Sequence, residues 1–179
     1  MTTRAVLSAG SNIGDSRARL REVAEALADD LVAVSGVYRT APWGGVRQDD
    51  FLNVTLIAEG ERRPIDWLDF CRRAEQAADR VRDVRWGPRT LDVDVIDIAA
   101  DFQTADFQTA DFQTVVSDDE ELTLPHPRAA QRAFVLVPWL EIDADARLWT
   151  PSGPAAVTDL VAALDPDETA GVVRVGDLA

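Results

Sequence analysis

The chain has 179 residues, a formal net charge of −14 and 46% hydrophobic content, with one cysteine and no lysine. That length suits a single domain, expected to span 1–179, with a sizeable core, and no apolar run approaches the length of a membrane span. The acidic balance argues against nucleic acid and anionic membrane surfaces as general partners. Without lysine there is no Walker A motif, which excludes a P-loop NTPase. A lone Cys71 permits no internal disulfide, and the N-terminus has no signal-peptide layout, so the expected location is cytoplasmic.

Residues 4–10 read as a strand ending at Gly10, followed by the turn formers Ser11-Asn12-Ile13-Gly14-Asp15. Asp15 or Ser16 can cap a first helix, whose apolar stripe is Leu20, Val23, Ala24 and Leu27. Residues 31–39 form a second strand. A loop over 40–50 carries Pro42, Gly44 and Gly45, and residues 51–59 form a third strand. Pro64 is suited to the first turn of a second helix with Leu68, Cys71 and Ala78 on its apolar stripe. Glu75 falls on that same stripe, which is unusual for a carboxylate and points either to an outward-reaching side chain or to a pocket at the helix end. An arginine-rich loop over 80–90 leads into a fourth strand, 91–98. The order βαββαβ is the ferredoxin-like plan, so the expected class is α+β, an antiparallel sheet with helices packed on it and a C-terminal extension. That plan hosts many activities and assigns none.

Residues 100–114 are three perfect copies of Ala-Asp-Phe-Gln-Thr. A period of five matches neither strand nor helix, so the expectation is an inserted loop, with a hairpin extension as the alternative. The only histidine, His126, sits between Pro125 and Pro127 with Arg128 and Arg132 nearby, a rigid setting for an anion ligand. Residues 131–140 read as a short helix broken near Pro138, and 155–164 as a further helix.

The chemistry concentrates in residues 85–94, Arg-Trp-Gly-Pro-Arg-Thr-Leu-Asp-Val-Asp. In a strand Asp92 and Asp94 share one face while Leu91, Val93 and Val95 face a core. Two adjacent carboxylates repel unless hydrogen bonds, a raised pKa or cations relieve them. Mg²⁺, a hard ion shared between one or two carboxylates and substrate phosphates, suits them. Six of the 18 arginines lie between Arg72 and Arg89, and their planar forks suit phosphate oxygens.

Taken together, Gly10-Ser11-Asn12 with Gly14-Asp15, Tyr38-Arg39-Thr40, Phe51-Leu52-Asn53, Arg80-Val81-Arg82, residues 85–94, 122–128 and 132–136 resemble the 6-hydroxymethyl-7,8-dihydropterin pyrophosphokinases of folate biosynthesis. The resemblance covers residues 4 to about 143. It implies transfer of the pyrophosphoryl group of ATP to the pterin hydroxymethyl oxygen with release of AMP. It implies two Mg²⁺ ions on Asp92 and Asp94, with Arg80 and Arg82 as further catalytic residues on a closing loop. ATP would meet Glu75, Arg82, Arg89, Thr123, His126 and Arg132. The pterin would meet Thr40, Trp43, Phe51, Asn53, Trp86 and Phe134, aromatic faces for a flat ring and a carboxamide for its amide-like edge. Phe51 stands where the family often has Tyr, Trp43 where a smaller aliphatic is common, and Arg72 where a neutral amide can occur. The expected partners are the two small-molecule substrates, with no nucleic acid and no membrane, and the expected state is a monomer. The rival reading is a non-catalytic ferredoxin-like module that binds nucleotide or a protein.

Overall fold

The structure, a computed structural model, describes residues 1–42, 48–78, 89–101 and 112–178. The elements in chain order are β1 (Thr3–Ser11), α1 (Ser16–Ala26), β2 (Leu31–Val34), β3 (Tyr38–Thr40), β4 (Phe51–Gly60), α2 (Pro64–Ala77), β5 (Asp92–Asp101), β6 (Phe112–Thr114), β7 (Ser117–Asp118), β8 (Thr123–Leu124), α3 (Ala133–Ile142), β9 (Arg147–Thr150), β10 (Gly153–Ala156), α4 (Val157–Ala163), α5 (Pro166–Ala170) and β11 (Val173–Arg174). Among the described residues the main sheet is antiparallel in the order β11-β3-β4-β1-β5-β6, with β2 also paired to β4. The expected ferredoxin-like core is therefore present. Among the described residues no helix is long and apolar enough to cross a membrane.

Strand alternation divides the sheet into two faces. On one face Ala5, Leu7 and Ala9 of β1, Val54 and Leu56 of β4, and Val93 and Val95 of β5 meet Leu20, Val23 and Leu27 of α1 and its flank, and Trp67 and Cys71 of α2. The sequence stripe for α2 missed Trp67 and Phe70, both buried. The Trp67 indole is buried without penalty because its Nε1–H donates to Thr3 Oγ1 at 2.7 Å. Helix α1 starts where expected, with Asp15 accepting the Ala18 amide at 3.0 Å. Helix α2 opens on Pro64, and the Asp66 carboxylate reaches back to the Arg63 amide at 2.8 Å.

On the opposite face Val6, Ile57 and Ile96 pack beneath Val135, Leu136 and Trp139 of α3, joined by Leu148 of β9 and Val157 of α4. Helix α3 is continuous through Pro138, contrary to the expected break, and it starts at Ala133 after a 3₁₀ turn over Ala129–Gln131. Proline forfeits one helical hydrogen bond. The buried residues on both sides of it, Val135, Leu136 and Trp139, hold the helix against the sheet regardless.

Three further boundaries depart from the sequence reading. The expected strand over 31–39 is split into β2 and β3 around Ser35-Gly36-Val37. The expected helix over 155–164 starts at Val157, because residues 153–156 pair with β9. The ends of the repeat are strand rather than loop: Ala100 and Asp101 close β5, and Phe112–Thr114 of the last copy pairs with it as β6. That is the hairpin alternative at its base.

Candidate active site

The face of the sheet that meets helix α3 also carries a run of polar groups, of which Tyr38, Asn53, Ser8 and Thr55 are buried and Asp92 and Asp94 half-buried. In an antiparallel sheet, residues directly opposite one another point to the same side. Tyr38 lies opposite Asn53, Asn53 opposite Gly10, and Gly10 opposite Asp92, giving one row across β3, β4, β1 and β5. The next row is Thr55, Ser8 and Asp94. Because Gly10 has no side chain, Asn53 and Asp92 face each other across bare backbone, two strand spacings or about 10 Å apart. A Cβ at Gly10 would stand 2.9 Å from Asn53 Oδ1 and 3.8 Å from Phe51 Cδ1. The Asn53 carboxamide is oriented by donating from Nδ2 to Thr40 Oγ1 at 2.9 Å, which leaves its oxygen over that gap. Thr40, Phe51 and Asn53 therefore meet at one end of the row. Phe134 is half-buried at the start of α3, with the Arg132 guanidinium 5.6 Å from its ring centre.

At the other end, Asp92 and Asp94 of β5 each have an arginine partner. Arg89 Nη1 donates to Asp92 Oδ2. Arg132 Nη1, at the start of α3, donates to Asp94 Oδ2 at 2.9 Å. His126 brings Nε2 to 3.9 Å from the same oxygen, an electrostatic approach rather than a hydrogen bond. The His126 Nδ1 accepts the Arg128 amide at 3.1 Å, so the proton of the neutral ring sits on Nε2, aimed at the carboxylate side. Burial lowers the His126 pKa below its ordinary value, with Arg132 and Arg128 acting the same way and Asp94 opposing them. The imidazole is thus neutral and a hydrogen-bond donor at neutral pH.

The β5 edge beyond these groups is open, and the chain closes it piecemeal. Glu75 Oε1 accepts the Val93 amide at 2.9 Å, and the His126 amide donates to Ile96 O at 2.8 Å. The carboxylate on the α2 stripe is thus explained by a strand-edge amide. Between α2 and the 121–127 segment runs a cleft of about 240 Å³ with Leu68, Val95, Leu122 and Pro127 as apolar walls and Asp94 and His126 at its polar end. Thr123 lies on its rim, with its hydroxyl donating to Asp119 O at 3.0 Å.

Trp43, Arg80, Arg82 and Trp86 lie outside the described residues. The sequence reading gave no role to Asn12, yet it ties together the two loops that flank the site. Its Nδ2 donates to Gln48 Oε1 and Asp49 O, both at 2.9 Å. Its Oδ1 accepts the Arg89 amide at 2.8 Å, and its own amide donates to Arg89 O at 3.1 Å.

The chain matches, over residues 6–144, the family described as 7,8-dihydro-6-hydroxymethylpterin-pyrophosphokinase (HPPK). It belongs to the HPPK family. Among curated relatives, the 2-amino-4-hydroxy-6-hydroxymethyldihydropteridine pyrophosphokinase of Mycobacterium tuberculosis is 49% identical over 92% of this chain and 85% of its own length. The protein of the same name from Methylorubrum extorquens is 40% identical over 97% of this chain and 99% of its own. Among solved structures, wild-type Plasmodium falciparum HPPK-DHPS superposes with a TM-score of 0.60 at 12% identity. The match covers 90% of this chain and 44% of that one, so it speaks for the HPPK fold alone. The HPPK match reaches residue 144 and leaves out the C-terminal strands and helices from β9 onward.

Proposed function

We propose that the chain transfers the pyrophosphoryl group of ATP to the hydroxymethyl oxygen of 6-hydroxymethyl-7,8-dihydropterin, releasing AMP, as a step of folate biosynthesis. The observation that carries this reading is the row Asn53–Gly10–Asp92. It sets a carboxamide and a carboxylate on either side of a residue with no side chain, in one register row. The pterin would lie over Gly10 between Phe51 and the aromatic groups at 43, 86 and 134, with its amide edge on Asn53 and Thr40. Its hydroxymethyl group would then point toward Asp92 and Asp94. The base of ATP would occupy the 240 Å³ cleft along β5, with its phosphates leading out past His126, Asp94 and Glu75.

Transfer of this kind needs positioning and charge neutralisation more than covalent help from the protein. The hydroxyl oxygen would attack Pβ and lose its proton to solvent, the bond from Pβ to the α-phosphate oxygen would break, and AMP would depart with that oxygen. Arg89 and Arg132, which neutralise the two aspartates in the free protein, would turn to phosphate oxygens. His126 would donate its Nε2–H to the same charge, and being neutral it would do so across the physiological pH range. Arg80 and Arg82 would close over the phosphates and exclude water, whose attack is the competing reaction.

Asp92 and Asp94 fit Mg²⁺. Among the described residues no group of three or more His, Cys, Asp or Glu is assembled as a metal site, and a carboxylate pair open to phosphate is the arrangement this hard ion favours. Two such ions, shared with the triphosphate, would supply charge neutralisation and activate the hydroxyl. We further propose a monomeric, cytoplasmic, single-domain enzyme over 1–179.

The test is AMP release from Mg-ATP with and without the dihydropterin. Pterin-dependent AMP is expected, with Asp94→Ala lowering it by about 10³-fold or more. Mg-ATP binding with no pterin-dependent AMP would replace the proposal with a nucleotide-binding module.

A further inference from the structure

The row that carries the candidate pterin site has a fifth member. Strand β11 pairs with β3 so that Arg174 lies opposite Tyr38, and the row reads Arg174, Tyr38, Asn53, Gly10, Asp92. The outer end is tied down more than an edge strand requires. Val37 donates to Gly176 O and accepts from Val175, both at 2.8 Å. Arg17 of α1 donates to Asp177 O at 2.6 Å and to Val175 O at 2.9 Å, and Leu178 is buried in the α1–α2 core.

One carboxylate joins this strap to the site. Glu141, on the last turn of α3, accepts Arg174 Nε at 3.1 Å on Oε1. On Oε2 it accepts the Tyr38 hydroxyl at 2.8 Å and the Gly36 amide at 3.0 Å. Burial, then the Glu141 carboxylate, push the Tyr38 pKa up to about 12, so the hydroxyl stays a donor at every working pH. The Tyr38 carbonyl in turn lies 3.4 Å from Asn53 Nδ2. A side chain at Gly36 would displace the guanidinium: a Cβ at that position would stand 2.6 Å from Arg174 Nε.

We infer that the C-terminal strand is a positioning element of the pterin site, in which Arg174 fixes Glu141, Glu141 fixes Tyr38, and β3 so fixed sets the Thr40–Asn53 pair. This rests on the reading of Asn53 as a pterin contact. β3 is three residues long and borders no element of the main sheet other than β4 and β11 among those described. Without β11, Tyr38 and Arg39, which lead into Thr40, would be held by the β4 ladder alone. The nucleotide cleft lies at the far edge of the sheet, along β5, and is out of reach of the strap.

The test uses the full chain with Arg174→Gln, Arg174→Lys, Gly36→Ala and Asn53→Ala, measuring KM for each substrate, kcat and thermal midpoint. Arg174→Gln is expected to raise the pterin KM about fivefold while the ATP KM stays within about twofold. Arg174→Lys, which keeps the charge and a donor, should recover most of that loss. Gly36→Ala, which displaces the guanidinium without removing it, should reproduce the Gln phenotype. A purely structural strap would lower the thermal midpoint and leave both KM values alone, which overturns the inference. Equal rises in both KM values overturn it too. Asn53→Ala separates the two layers. If it raises the pterin KM and Arg174→Gln does not, the inference fails and the site assignment stands. If Asn53→Ala leaves the pterin KM unchanged, both fail.

Discussion

Three aspartates of β5 face the same side of the sheet and meet opposite fates. Asp92 and Asp94 are half-buried, each paired with an arginine. Asp97 stands opposite Val6 beneath the α3 layer, 6% exposed, with Oδ1 lacking any hydrogen-bond partner among the described residues. Burial pushes its pKa up to about 7, against which the Ile98 backbone hydrogen bond acts only weakly. A bulge in the β1–β5 ladder, between Val6 and Leu7, separates the two settings. One strand thus holds two carboxylates paired with arginines and one whose pKa is raised by burial. The difference lies in what covers them rather than in residue type: cations on one side of the bulge, apolar side chains on the other.

If that division is right, substitutions in the covered part should change stability and leave catalysis alone. Ile57→Ala removes a side chain that is 4% exposed and packs among Val6, Ile96 and the α3 residues. It should cost about 3 kcal/mol in denaturant unfolding, with both substrate KM values unchanged. A rise in either KM would mean that the covered layer also holds the site in shape.

Asp97→Asn sharpens the comparison through pH. The folded-state pKa lies above the ordinary value of 3.8, so the folded protein binds the extra proton. Asp97 therefore contributes nothing adverse below about pH 4, and its cost grows as pH rises from about 4 to about 7 and then levels off. The shift corresponds to at most about 4 kcal/mol, and about 2 kcal/mol is expected after relaxation around the charge. The variant should match the wild type near pH 4 and exceed it by that amount at pH 8. Parallel stability–pH curves for the two proteins would show that Asp97 is charged and paired in solution.

The polar part of the sheet was legible from sequence where the pattern is local. The Asp-x-Asp alternation placed both carboxylates on one face, and Glu75 announced itself as a carboxylate on an apolar stripe. What the sequence concealed are contacts between distant residues. Asn12 reaches Gln48 and Arg89, and Glu141 reaches Gly36 and Tyr38. No periodicity or spacing encodes such pairs, because they arise only when the strand register is set. The Pro138 break failed for a related reason: a local helix penalty was outweighed by burial on both sides. The C-terminal segment carried no readable chemistry because what the structure shows of it is backbone pairing to β3, with Arg174 linked to Glu141 of α3.

Gly10→Ala gives the smallest effect and the closest test of the gap itself. A methyl group there would sit 2.9 Å from Asn53 Oδ1, a distance that real Cβ contacts avoid, so the carboxamide must shift. Gly10 is not among the glycines with positive φ, so alanine meets no backbone strain. The Asn53 side chain is buried and held by Thr40 Oγ1 and the Tyr38 carbonyl, so the protein should still fold, with a modest fall in thermal midpoint. The shift turns the Asn53 oxygen away from the row and raises the floor under any ring lying across it. The pterin KM should rise about tenfold, or about 1.4 kcal/mol, with the ATP KM unaffected because the cleft along β5 does not touch Gly10. Should the ATP KM rise instead, the space above Gly10 belongs to the nucleotide, and the order of the two substrates along the row is reversed.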